Sequence, residues 1–156
     1  MQISELMTTE VVTVYPDTTV VEIARRMVEY DISGVPVVER NGHLVGIVTE
    51  ADLVVRNANV HFPTFLQILD ARIYLTSTYH FEEELRRALG TVASEVMTRH
   101  VQTARPDDDL SVAATLMVDK GLNPIPVLAN GRLRGIISRS DIIRHILAQE
   151  AEGSAR

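Results

Sequence analysis

Two short phrases hold the residues of this 156-residue chain best placed to do chemistry. GIVTEAD occupies 46–52 and GIISRSD occupies 135–141. Each sets a hydroxyl, Thr49 or Ser138, three residues ahead of a carboxylate, Asp52 or Asp141, and an apolar run follows. Two chemistries fit that spacing. In one, hydroxyl and carboxylate close a capping box on the free N–H groups of a helix's first turn. That reading leaves the glycine three residues before the hydroxyl unexplained, and it places Asp where Glu or Gln is the usual partner. In the other, the helix N-terminus is an anion site. A hydroxyl there can bond a phosphate, and the carboxylate can accept two bonds from a ribose diol. The residues alone leave both open.

Other chemistries find no support. The chain has no cysteine, hence no thiolate nucleophile, disulfide or Cys-type zinc site. Of the five histidines, His43, His61, His80, His100 and His145, no two stand at i,i+4, and H-E-x-x-H is absent. No metal centre is expected. Neither a G-x-S-x-G elbow nor a G-x-x-x-x-G-K-[ST] loop is present, and nothing supplies a nucleophile or a poised acid–base pair. The chain reads as a non-enzyme.

The elements that carry the phrases are themselves duplicated, and looking for repeats is the first structural step. Residues 7–53 lie over 97–142 with one deletion near Arg40. Identities include Met7/Met97, Thr8/Thr98, Thr13/Thr103, Pro16/Pro106, Met27/Met117, Pro36/Pro126, Gly46/Gly135 and Asp52/Asp141. Each unit reads as β-α-β-β-α. A short strand, VVTV or VQTA, stops at Pro-Asp. A helix follows with Val20, Ile23, Ala24 and Met27 on one face, or Leu110, Ala113, Ala114 and Met117 in the second copy. Thr19 with Glu22 predicts a capping box, and the acidic run at 107–109 predicts a dipole-matched cap. Two strands joined through Asn-Gly follow, a strong hairpin signal. The last helix is predicted to begin near Asp52 or Asp141.

These units divide the chain into a first repeat at 1–56, an insert at 57–91, a second repeat at 92–150 and a tail at 151–156. The insert carries Phe62, Phe65, Tyr74, Tyr79 and Phe81 and predicts helical pieces around TSTYH. Such a segment suits core completion or an oligomer contact. Apolar residues at 46% and charged residues at 23% are ordinary for a globular chain. A net charge of −6 argues against a duplex-binding protein. The N-terminus lacks signal-peptide character, and no apolar run approaches the roughly 20 residues that span a bilayer. The expected compartment is the cytoplasm, with no membrane partner.

The ordered set VTVYPDTTVVEIARRM, SGVPVV, the Asn-Gly hairpin and GIVTEAD, present twice, closely resembles the cystathionine-β-synthase (CBS) domain, which occurs in tandem pairs. The likeness covers about 7–56 and 97–147. It implies an α/β (α+β) fold of two repeats related by a pseudo-two-fold axis, with a cleft on each side of it. It also implies regulatory binding of AMP, ADP or ATP, association into a homodimer, and an unknown protein partner that reads occupancy. S-adenosylmethionine or NAD is the alternative ligand, and a ligand-free scaffold the alternative function. Carried over position by position, one cleft would use Ser138 and Asp141 with Met7, Thr8, Val12, Ile32, Ser33, Gly34, Val35 and Pro36. The other would use Thr49 and Asp52 with Met97, Thr98, Gln102, Leu122, Asn123, Pro124, Ile125 and Pro126. The aspartates would take the ribose hydroxyls. Arg99, His100 and Arg139 are the candidate phosphate contacts, while Glu10 and Glu50 stand at the matching positions of the opposite copies.

Overall fold

Each repeat runs helix, hairpin, helix. A 3-10 turn at Ile3–Glu5 precedes α1 (Val20–Glu29), β1 (Gly34–Val38), β2 (Leu44–Thr49) and α2 (Glu50–Asn59). The second repeat opens with the single turn α3 (Ala93–Val96) and continues through α4 (Leu110–Asp119), β3 (Ile125–Ala129), β4 (Arg132–Ile137) and α5 (Arg139–Gly153). The computed structural model describes residues 1–59 and 90–153. The aromatic positions Phe62, Phe65, Tyr74, Tyr79 and Phe81 lie outside the described residues, as do 154–156.

Local signals account for most of these elements. Thr19 caps α1 by accepting the Glu22 N–H at 3.3 Å. Glu22 does not return the bond as a full capping box would. Its carboxylate turns to Arg26 and Arg25, and the Arg26 hydrogen bond holds it below the usual carboxylate range. Asp109 caps α4 through the Ser111 N–H at 2.9 Å, the dipole-matched cap that the acidic run predicts. The hairpins differ where the deletion falls. β3 and β4 join through Asn130 and Gly131 alone, both at positive φ, as the tight two-residue turn requires. β1 and β2 need 39–43, a longer turn closed by Gly42 N–H to Glu39 C=O at 2.8 Å.

The first strand of each unit is shorter than the sequence suggests. VVTV contributes a single bridged residue, Val14, parallel to Val37, and VQTA contributes Ala104, parallel to Val127. Pro16 and Pro106 follow two residues on and lack the N–H that would extend the ladder. The far edge of each hairpin is taken by the other repeat. Thr8 exchanges two backbone hydrogen bonds with Ile136 of β4, and Thr98 does the same with Ile47 of β2.

The cores follow the same exchange. One cluster joins Ala113, Met117, Ile125, Val127 and Ile137 of the second repeat with Ile3, Leu6 and Met7 of the first. The other joins Ile23, Met27, Val35, Val37 and Val48 with Ala93, Val96 and Met97 of the second. Each leading segment thus completes the opposite core. The glycines of the repeated phrases receive the methionines. A Cβ on Gly46 would lie 2.4 Å from Met97 Sδ, and one on Gly135 would lie 2.6 Å from Met7 Sδ and 3.0 Å from the Thr8 carbonyl oxygen. Only a residue without a side chain fits under the incoming segment.

Gly135→Ala is expected to cost about 1–3 kcal/mol through overpacking, read from urea unfolding followed by circular dichroism. Met7→Ala vacates the contested space, so the double variant should lose less than the sum of the two single losses. Strict additivity would show that these residues do not meet.

Candidate functional site: two clefts across the repeats

The hydroxyl residues Thr49 and Ser138 stand immediately before α2 and α5, so the helices begin earlier than the aspartates that the sequence suggests as their starts. Asp52 and Asp141 occupy the third helical position and reach back. Asp52 Oδ2 accepts the Thr49 N–H at 2.8 Å and its hydroxyl at 3.0 Å. Asp141 Oδ2 accepts the Ser138 N–H and hydroxyl, each at 2.7 Å. The capping role of the phrase is therefore real, with Asp in place of the usual Glu.

Only one oxygen of each carboxylate closes the cap. The other, Oδ1, faces away from it. Asp52 Oδ1 accepts the hydroxyl of Thr98, from the opposite repeat, at 3.5 Å. Asp141 Oδ1 accepts the guanidinium of Arg144, one turn further along α5. Asp141 is 8% exposed, and Asp52 is half-buried.

Each of these helix starts borders a cleft whose opposite wall comes from the other repeat. The first cleft, of about 520 Å³, gathers Thr8, Val12, Ile32, Ser33, Gly34, Ser138 and Asp141. The second, of about 370 Å³, gathers Thr49, Asp52, Thr98, Gln102, Leu122, Asn123 and Pro124. Both volumes lie within the range of small-molecule sites. His100 and Arg139 also line the second cleft. Arg139 thus faces the cleft headed by α2, although it is the first residue of α5. Its backbone N–H donates to Asn123 Oδ1 at 2.9 Å and its side chain to the Met117 carbonyl at 3.0 Å.

Several singled-out residues do not line either cleft. Met7 and Met97 lie against the glycines, and Val35, Pro36, Ile125 and Pro126 are buried in the hairpins. Arg99 donates to the Ser94 carbonyl oxygen at 2.9 Å. The structure adds Glu10, Tyr30, Asp31, Glu50, Ser140 and Arg144 to the first cleft, and Gly121 and Ala51 to the second. The sequence carries a signal for some of them. Ser140 and Arg144 share the first turns of α5 with Asp141. Asp31 and Gly121 are repeat equivalents at positive φ, where the chain turns from helix into the cleft wall.

The clefts share a wall made by Ser33, Glu50 and Pro124. There the repeat-equivalent residues Ser33 and Asn123 bond directly, Asn123 Nδ2 to Ser33 Oγ at 3.1 Å. A Cβ on Gly34 would sit 2.5 Å from Pro124 Cδ, so this seam is also close-packed. Among the described residues, no cluster of His, Asp and Glu is arranged to hold a metal, and no helix is long and apolar enough to cross a membrane.

A model of the CBS domain matches residues 3–58 and again 93–148. An uncharacterised protein of Methanocaldococcus jannaschii is 34% identical over 155 residues, covering 94% of this chain and 92% of its own. Among solved structures, CBSX2 of Arabidopsis thaliana in complex with AMP matches with a TM-score of 0.70 and 24% identity, over 96% of this chain and 98% of that one. The CBS domain pair of protein MJ0100, in complex with 5′-methylthioadenosine and S-adenosyl-L-methionine, matches with a TM-score of 0.71 and 21% identity, over 96% and 98%.

Removing either capping carboxylate should destabilise the unliganded protein by about 0.5–2 kcal/mol. Asp141→Ala should cost more than Asp52→Ala, because Asp141 is the more buried and its loss also strips Arg144 of its partner. Urea unfolding of the two variants checks the order.

Proposed function

The chain belongs to the CBS domain family, and from that premise we propose that it is a non-catalytic regulatory module binding adenosine ligands in its two cross-repeat clefts. The observation that carries this reading is the divided use of each aspartate. Oδ2 completes a helix cap, and Oδ1, on a residue that lines the cleft, bonds the Thr98 hydroxyl in Asp52 and the Arg144 guanidinium in Asp141, partners that a ligand's hydroxyls would replace or join. A ribose diol supplies two O–H donors to such an acceptor, and the adjacent Thr49 or Ser138 supplies a hydroxyl. In the second cleft, the base would lie against Leu122 and Pro124, with His100 and Arg139 as the phosphate donors. In the first, it would lie against Val12 and Ile32. Solved relatives of the same fold hold AMP, or 5′-methylthioadenosine and S-adenosylmethionine, which supports adenosine as the common element.

Such a ligand touches a helix start of one repeat and a wall of the other, so occupancy biases how the repeats sit together. That bias is what a protein partner, or a second copy of the chain, would read. Ile143, Ile146 and Leu147 form an exposed apolar stripe on the outer face of α5, with Val54 exposed on α2, and we assign homodimer formation to this stripe. Light scattering should give a dimer at tens of micromolar, and Ile146→Glu should shift it toward monomer.

A ligand-free scaffold is the competing reading. Two facts favour it: both caps are complete without a ligand, and Arg144 already pairs with Asp141. Titration calorimetry with AMP, ADP, ATP, NAD and S-adenosylmethionine separates the two. Asp→Asn keeps a side-chain oxygen near the first turn and removes a charge-assisted acceptor contributing about 1.5–3 kcal/mol. Asp52→Asn and Asp141→Asn should each weaken binding at one cleft by roughly tenfold to a hundredfold. Melting of the unliganded variants should change little by comparison. Wild-type protein that binds none of the five would leave the scaffold reading standing.

A further inference from the structure

The two clefts are built from equivalent positions, yet at two of these an acidic residue in one cleft stands where a basic residue stands in the other. The repeat relation that pairs Asp52 with Asp141 also pairs Glu10 with His100 and Glu50 with Arg139. The first cleft is lined by Glu10 and Glu50, and at the corresponding places the second is lined by His100 and Arg139. The pattern continues around the rim. Asp31 of the first cleft corresponds to Gly121 of the second, and Tyr30 corresponds to Lys120, whose ammonium donates to the second cleft's Gln102 at 3.2 Å. In the first cleft one guanidinium, Arg144, faces four carboxylates and is already committed to Asp141.

From this inversion we infer that the clefts take adenosine ligands of opposite character at the 5′ end. The second cleft accepts 5′-phosphates. The first rejects them and accepts an adenosine whose 5′ substituent is neutral or cationic, such as a thioether or a sulfonium. This rests on the adenosine reading above and adds a division of ligands to it. The physical basis is direct. A phosphate in the first cleft stands beside two carboxylates where its counterpart in the second meets an imidazole and a guanidinium. Like charges brought together inside a low-dielectric cleft disfavour that ligand strongly, whereas a sulfonium there gains from the same carboxylates. Glu50 lines both clefts, but in the second it and Asp52 are the two lining carboxylates, with the Arg139 guanidinium among them, where the first cleft has four carboxylates.

The test is calorimetry with three probes: AMP, 5′-methylthioadenosine and S-adenosylmethionine. AMP should fill one site per chain, weakened by Asp52→Asn and unaffected by Asp141→Asn. With AMP saturating, each of the other two should bind one further site, weakened at least about tenfold, about 1.4 kcal/mol, by Asp141→Asn and not by Asp52→Asn. Glu10→His copies the equivalent residue of the second cleft and should raise the AMP stoichiometry from one to two. AMP filling both clefts of the wild-type protein with affinities within about threefold would overturn the division and leave the adenosine reading intact. Failure of all three probes to bind would overturn both. The wild-type stoichiometry decides the matter even where a variant folds poorly.

Discussion

The architecture depends on two methionines that cross between repeats. Met7 packs over Gly135 and Met97 over Gly46, and the following threonines lock each crossing with a pair of backbone hydrogen bonds to the opposite hairpin. Everything else is placed by that exchange. It brings Ile3 and Leu6 into one core and Ala93 and Val96 into the other, so neither repeat has a complete interior alone. It also sets the helix start of one repeat against the wall of the other, and the clefts are what remains between them.

Stability and the candidate site therefore use the same atoms. The capping carboxylates hold the first turns of α2 and α5 with one oxygen, while the second meets Thr98 of the opposite repeat in Asp52 and Arg144 of the same helix in Asp141. A helix start is well suited to this double use, because its free N–H groups demand an acceptor whether or not a ligand is present. The rigid cap fixes the carboxylate in position beforehand, so little ordering is left for a ligand to impose. The close-packed seam at Gly34 and Pro124 serves the same end from the other side.

What could be read from the sequence was local or repeated. The duplication, the Asn-Gly turns, the Thr19 and Asp109 caps and the hydroxyl–carboxylate phrase all act within a few residues, and they emerge in the structure as hairpins and helix starts. The mixed α/β pair of CBS repeats follows from them. What could not be read depends on distant partners. The glycine of the phrase looks idle until the methionine from the other repeat is seen above it. Arg139 lies beside Ser138 in the chain but faces the other cleft, since the first turn of α5 directs the residue after its cap across the seam. Arg144 is visible in the sequence only as a residue one turn beyond Asp141, and its pairing with the capping carboxylate is not. The outer edge of each hairpin, at β2 and β4, is covered by a threonine of the opposite repeat, a pairing that no local pattern in the sequence shows.

The reciprocal crossing is the signature of an isologous contact, in which each partner offers the same patch and receives the same patch in return. Two identical single repeats meeting through Met-over-Gly would form a symmetric dimer, and symmetry would oblige its two clefts to be copies. Any mutation in one would appear in the other. Joined in one polypeptide, the halves keep the contact but lose the obligation. Position 10 can then hold a glutamate while position 100 holds a histidine, with no change to the packing that holds them. Covalent linkage is what frees one symmetric interface to carry two differently lined clefts.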